Sequence, residues 1–362
     1  MLIVDAHADI AWNMLTFRRD YTLSVAETRR QERGSEIPIH NGDTLLGWPE
    51  YQTGQVALVF STLFASPLRF QKGAWDKLCY LVTSQARDIH FAQLDIYRRL
   101  VEETPEKFRL IPDQKALTDH LSEWQEVPAG EHPIGFILLM EGAESISEPA
   151  ELEEWWYAGV RLIGPAWAGT RFCGGTKEPG PLTGEGFELL DAMADLGFGL
   201  DISHMDEPAA LQALDHYAGT ILVSHGNAKA LLKGADSNRH LSDDVILAVL
   251  ERDGVIGVVP FNEFLLAGWK KGDRRELVTL QKVVSQIDYI CQMAGDASHA
   301  GLGSDFDGGF GLQSVPSGID SIADLQKLGP LLYEYGYTDK DIAGILGENW
   351  ISLLGRILPD SL

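Results

Sequence analysis

The sequence predicts an α/β protein built as a (β/α)8 TIM barrel. Apolar, β-branched runs alternate with stretches of helical spacing from end to end, which argues for parallel strands joined by helical crossovers. The chain has 362 residues, 45% of them hydrophobic. That is enough for a large core and suits an α/β barrel read as one domain, residues 1–362. Residues capable of chemistry recur where the runs end, and in a parallel barrel those ends surround one mouth. The competing architecture is an open doubly wound sheet, which lacks support because no GxGxxG follows any strand.

The first run, Leu2-Ile3-Val4, leads into Asp5-Ala6-His7-Ala8-Asp9. In an extended strand, positions i and i+2 point the same way, so His7 and Asp9 are expected to converge. A long polar connection, about residues 13–54, reads as an insertion with room for its own helix. The second strand is Gln55–Phe60. Helical spacing of Trp75, Leu78, Val82, Ile89, Ile96 and Leu100 predicts a helix over Ala74–Val101. Ile134–Met140 is the third strand and runs into Glu141-Gly142. Gly159–Gly164 is the fourth and ends at a Gly/Pro turn.

A helix over Gly184–Leu196 is closed by Gly197. The fifth strand, Phe198–Ser203, ends at His204, and a short helix covers Pro208–His216. The sixth strand, Thr220–Ser224, ends at His225. Ser242 caps the next helix, with Asp243 and Asp244 favourable to its dipole. Val255–Val259 is the seventh strand. Leu280, Val283, Val284, Ile287 and Ile290 form a helical stripe. Ala300–Ser304 is the eighth strand and ends at Asp305. Two or three C-terminal helices follow, one opened by a Thr338/Asp341 capping box.

Six polar residues therefore fall at strand ends: His7 with Asp9, Glu141, His204, His225 and Asp305. Each alone has an ordinary structural explanation, but together they suggest a metal-dependent hydrolase. Three imidazoles and at least two carboxylates exceed what one catalytic zinc takes, which points to two ions. His7 and Asp9 would hold one, His204 and His225 the other, and Glu141 would bridge. Asp305 is left to move the proton of a hydroxide bridging the two ions. By the period-two rule Asp201 faces away from this set, and His40, His90, His120, His132, His216 and His299 receive no role.

A net charge of −24 argues against nucleic acid and anionic membranes as partners. Cys79, Cys173 and Cys291 show no CxxC spacing, so no disulfide framework or cysteine zinc site is implied. No signal peptide or span-length apolar run is visible, and a cytoplasmic location is the expectation.

The motifs Val4-Asp5-Ala6-His7-Ala8-Asp9, Glu141-Gly142-Ala143, Ile202-Ser203-His204, Val223-Ser224-His225, Asn238-Arg239-His240 and Gly303-Ser304-Asp305-Phe306-Asp307-Gly308 stand in the order of the membrane dipeptidase (renal dipeptidase) family. The chain resembles that family over nearly its whole length. The resemblance implies a barrel with two zinc ions that hydrolyses dipeptides, often with a D-residue on the C-terminal side. It implies His7, Asp9, Glu141, His204 and His225 as metal ligands and Asp305 as the acid–base group. Arg239 matches the residue that binds the substrate carboxylate, a role suited to a guanidinium fork.

One position departs from the pattern. Trp167 stands where the family usually has a histidine that contacts substrate. Indole has one N–H donor and no positive charge, and losing an oxyanion donor typically costs about 10²–10³ in rate. Arg171, or backbone amides of the same loop, is the expected substitute. The leading expectation is a zinc metallopeptidase acting on a small dipeptide-like partner, with a homodimer entertained as the assembly. Hydrolysis of another amide or lactone, such as an N-acyl amino acid, is the alternative. A non-catalytic metal-binding protein is the third reading.

Overall fold

The eight expected strands form and pair in parallel: β1 Ile3–Ala8, β2 Val56–Phe64, β3 Ile134–Glu141, β4 Val160–Gly164, β5 Gly199–Asp201, β6 Ile221–Leu222, β7 Ile256–Val258 and β8 Ala300–Leu302. A computed structural model provides this architecture and describes residues 1–126, 131–235 and 237–361. Hydrogen-bonded neighbours run β6-β5-β4-β3-β2-β1-β8-β7. The seam between β6 and β7 is closed by a parallel bridge from Val223 to Ile256. The result is a (β/α)8 barrel.

Adjacent strand residues divide between two apolar clusters, and residues two apart share one. Val4, Ala6, Leu58, Phe60, Ile137 and Leu139 pack with Trp350, Leu353, Leu354 and Ile357 of the C-terminal helix Asn349–Ile357. Their neighbours Ile3, Val59, Leu138 and Met140 join the larger cluster with the surrounding helices. Period-two strands buried on both faces give this division. Trp350 donates its indole N–H to the Leu302 carbonyl at 3.1 Å. A Cβ on Gly199, the first residue of β5, would lie 2.7 Å from Ile357, so the C-terminal helix also packs where that strand begins. The opposite end stays open for polar side chains.

β1 departs from simple alternation. Its register against β2 shifts between Asp5 and Ala8, and Asp9 lies past the strand as the N-cap of the helix Ile10–Phe17. His7 and Asp9 still converge, but through an irregular strand end rather than a regular pleat.

The helix expected over residues 74–101 is corrected. It spans Thr83–Glu103, and Cys79–Tyr80 instead pairs in parallel with Ser66–Pro67. Local polar bonds explain the later start. The Asp76 carboxylate accepts the Lys72 N–H at 3.0 Å, and Gln85 Oε1 accepts the Leu81 N–H at 2.8 Å. These bonds give residues 71–82 a non-helical alternative that apolar spacing cannot register.

Residues 13–54 carry helices Val25–Glu32, Ile37–Asn41 and Trp48–Thr53. The segment is tied to the β8 turn through buried Asp307. That carboxylate pairs with Arg19 Nη1 at 3.0 Å and accepts Tyr21 OH at 2.9 Å, Thr44 Oγ1 at 2.6 Å and the Leu45 N–H at 2.9 Å. Asp307→Ala is expected to cost roughly 3–5 kcal/mol in denaturant unfolding, because it strands buried donors and a charge. A loss under about 1 kcal/mol would mean that water replaces the carboxylate there.

Among the described residues no helix is long and apolar enough to cross a membrane.

Candidate metal centre

Each strand end delivers its side chain for a local reason. Glu141 is the last residue of β3, and Gly142, at φ 91°, turns the chain away immediately after it. A residue with a Cβ rarely adopts that backbone. Asp305 also has a left-handed backbone, φ 55°, and its N–H donates to the His7 carbonyl at 3.1 Å. That bond ties the end of β8 to the end of β1 and places Asp305 beside His7.

The side chains converge as the strand-end pattern predicted. Glu141 Oε1 lies 2.9 Å from His204 Nε2 and 3.7 Å from His225 Nε2. Glu141 Oε2 lies 3.6 Å from His7 Nε2, and Asp305 Oδ1 lies 3.8 Å from the same nitrogen. Asp9 is held by the Thr62 hydroxyl. Three overlapping groups have ligand atoms within 4.8 Å of one another: His7–Asp9–Glu141, Glu141–His204–His225 and His7–His225–Asp305. The first two share Glu141 alone.

The donor set fits divalent cations. His7 Nε2 is buried with no hydrogen-bond partner. The Nε2 atoms of His204 and His225 face each other at 3.0 Å. Burial lowers the pKa of His7 to about 3 and those of His204 and His225 well below the ordinary value. The rings are therefore neutral, the form that binds metal. Burial, with Asp9 nearby, raises Glu141 and Asp305 well above the usual carboxylate range. Bound cations would offset that cost.

Asp201 supplies a layer of support that the alternation rule set aside. Its Oδ2 accepts the Ser224 hydroxyl at 2.5 Å, and its Oδ1 accepts the N–H groups of Ser203 and Ser224 at 3.1 and 3.0 Å. The single Ser224 hydroxyl proton is committed to Asp201. Ser224 Oγ is then left to accept from His225 Nδ1, 2.8 Å away. This chain fixes the tautomer and leaves the His225 Nε2 lone pair bare. His204 Nδ1 is likewise held by Thr176 Oγ1 at 2.9 Å. The sequence signal for this layer is the paired Ser-His at 203–204 and 224–225.

The model of the membrane dipeptidase family, peptidase family M19, matches residues 1–358. The chain belongs to this family. It is a family of metallopeptidases, and a peptide hydrolase is the enzyme class it brings. An uncharacterized protein in the pqqA 5′ region of Klebsiella pneumoniae is 29% identical over 75% of this chain and 96% of its own length. An uncharacterized dipeptidase of Schizosaccharomyces pombe is 28% identical over 71% of this chain and 59% of its own. A metallo peptidase from Rhodobacter sphaeroides, solved with a phosphinate mimic of the dipeptide L-Ala-D-Ala, superposes with a TM-score of 0.78 at 22% identity, covering 99% of each chain. That likeness establishes the fold.

In this membrane dipeptidase family member the clustered residues open into a cavity lined by Asp9, Glu141, His204 and Asp305 together with Trp12, Phe64, Trp167 and Lys72. It encloses about 540 Å³ including its open mouth, the scale of a small-molecule site. Trp167 is part of the wall. Its ring meets Phe64 edge-on at 5.3 Å and lies 6.1 Å from His204.

Arg171 does not reach the cavity, contrary to expectation. Its guanidinium bonds Glu185 at 2.9 Å and the carbonyls of Ile146 and Ser147. Four acceptor and ring contacts, including Phe172, hold it on the outer side of the loop, and only its proximity in sequence to Trp167 suggested otherwise.

Arg239 is buried behind His204 and His225. Nη1 donates to the Ser203 carbonyl at 2.6 Å and Nη2 to the His225 carbonyl at 2.9 Å. It thereby braces the two strand ends that carry His204 and His225. Lys72, Asp76 and Gly308 belong to the cavity and were missed, because they lie on irregular segments with no periodic signal.

Proposed function

We propose that the chain is a dinuclear zinc dipeptidase that cleaves free dipeptides, including those with a C-terminal D-residue. The observation that carries this is Glu141 standing alone in both His7–Asp9–Glu141 and Glu141–His204–His225. When bound, two such ions would polarise the scissile carbonyl and lower the pKa of an attacking water towards about 7.

This chain's residues account for the remaining work. Asp305 faces the centre from β8 with part of its carboxylate open to the cavity. It takes the proton of the attacking water and returns it to the departing amine. Arg239 stands outside the residues lining the cavity and acts through space on Asp305 and Glu141; the N–H groups it keeps beyond the two given to carbonyls are the ones we assign to the free carboxylate of the substrate. Trp167, Phe64 and Trp12 shape an apolar wall that excludes water around the scissile bond.

Metal analysis combined with a dipeptide panel bearing L- and D-residues at the second position tests the proposal. Two zinc ions per chain are expected, with turnover lost on chelation and restored by zinc. Full activity after chelation would end this reading.

Trp167 also favours a second reading, hydrolysis of an N-acyl amino acid or lactone, since the usual histidine is replaced. Both classes belong in the same panel. Trp167→Phe separates wall from donor. As a wall, phenylalanine keeps kcat within a few-fold; if the indole N–H holds the oxyanion, kcat falls by about 10²–10³.

A further inference from the structure

We propose that the cavity selects dipeptides carrying a second carboxylate on an acidic side chain, and that Lys72 is the specificity-determining residue that pairs with it. This rests on the dipeptidase reading above. Among the described residues lining the cavity, Lys72 is the only lysine or arginine. Its root is fixed: the Lys72 N–H is held by Asp76 Oδ2 at 3.0 Å, and Gln71 Nε2 bonds the Asp76 carbonyl at 2.7 Å. Asp76 itself is buried. The lysine side chain beyond that root is exposed.

The ammonium is aimed at the reaction side of the cavity. A Cβ on Gly309 would lie 3.0 Å from Lys72 Nζ, and one on neighbouring Gly308 would lie 2.8 Å from Asp9 Oδ2. Among the described residues no carboxylate bonds the Lys72 ammonium, on which Asp76, Asp305 and Asp9 act through space. Asp9 and Asp305 are turned to the metal side, so cations there would leave Lys72 uncompensated. Arg239, bonded to the carbonyls of Ser203 and His225, acts through space on Asp305 and Glu141. Two cations that both act on Asp305, one in the cavity wall and one behind it, match two carboxylates on one substrate.

The mouth reinforces this charge. Lys177 and Lys271 lie near enough to act on Lys72 through space, so positive charge is gathered at this opening. Lys177 Nζ lies 5.6 Å over the Phe70 ring, and Phe70 meets the Trp167 wall at 5.9 Å. On a chain of net charge −24, a lysine cluster at this opening is a local reversal of sign. Such a field raises the encounter rate of anions and fades with salt.

The test compares kcat/KM of the zinc-reconstituted enzyme for Ala-Asp, Asp-Ala and Ala-Ala. One of the acidic dipeptides is expected to exceed Ala-Ala by about 10- to 100-fold, the worth of a charge-assisted bond. High salt should shrink that ratio. Lys72→Met should abolish it, and Lys72→Glu should transfer the preference to a lysine-containing dipeptide. A ratio unchanged in Lys72→Met overturns the proposal. If wild type cleaves no dipeptide, the functional reading fails on its own. Calorimetry of L-aspartate and L-alanine binding to the zinc-reconstituted protein then decides for Lys72. Tighter aspartate binding that Lys72→Met removes supports the proposal, and equal binding of the two overturns it.

Discussion

Glu141→Gln is expected to reduce bound zinc from two ions to about one and to lower kcat by roughly 10³-fold or more, the scale at which a hydrolytic centre loses its assembled nucleophile. The amide keeps the shape of the side chain but has one acceptor oxygen and no charge. Glu141 is within 3.7 Å of the Nε2 atoms of His7, His204 and His225, so one substitution reaches both halves of the centre. The fold should tolerate the change. The carboxylate is raised well above its usual pKa by burial, and a neutral amide avoids that cost in the metal-free state. Elemental analysis, melting temperature and dipeptide turnover on the same preparation would check it. A variant that keeps two ions and turns over within tenfold of wild type would refute the bridging role.

Gly308→Ala should be nearly as damaging, though it removes no functional group. The added methyl would stand 2.0 Å from Asp305 Oδ1, 2.8 Å from Asp9 Oδ2 and 2.9 Å from the Asp305 carbonyl oxygen. The carboxylates must rotate away from the centre or the turn must move. Either outcome displaces groups whose placement matters to within a fraction of an ångström, and about 10²-fold loss of turnover follows. Gly308 sits at the cavity edge rather than in the core, so unfolding stability should change by no more than about 1 kcal/mol. Normal zinc content with normal turnover would show that the loop yields freely.

The residues of this centre were readable in the sequence to very different degrees. His7, Glu141, His204, His225 and Asp305 each follow a run of apolar residues, and the parallel barrel makes the ends of such runs neighbours. Glu141 and His225 could be placed together although 84 positions separate them, because β3 and β6 were both identifiable from composition. Asp201 illustrates the limit of the same rule. Alternation describes which face of the strand it leaves by, whereas its role depends on two serines, one from the next strand. Arg171 shows the opposite error: nearness in sequence to Trp167 did not bring it to the cavity, since Glu185 and two carbonyls hold it elsewhere.

The helix misplaced over residues 74–101 has the same origin. Trp75, Leu78 and Val82 have helical spacing, but Asp76 and Gln85 satisfy the backbone in other ways. That irregular segment is the one that carries Lys72 into the cavity. Asp307 likewise reads as a turn residue, yet it anchors residues 13–54 through four separate partners.

The sequence alone determined the barrel, the order of its strands and the residues at their ends, because strand and helix periods are properties of near neighbours and a closed parallel sheet has one mouth. Tertiary structure decided which cation faces that mouth, which side chains brace His204 and His225 and which arginine turns away. Those outcomes depend on hydrogen-bond partners tens to hundreds of positions distant, and competition among such partners leaves no periodic mark on the chain.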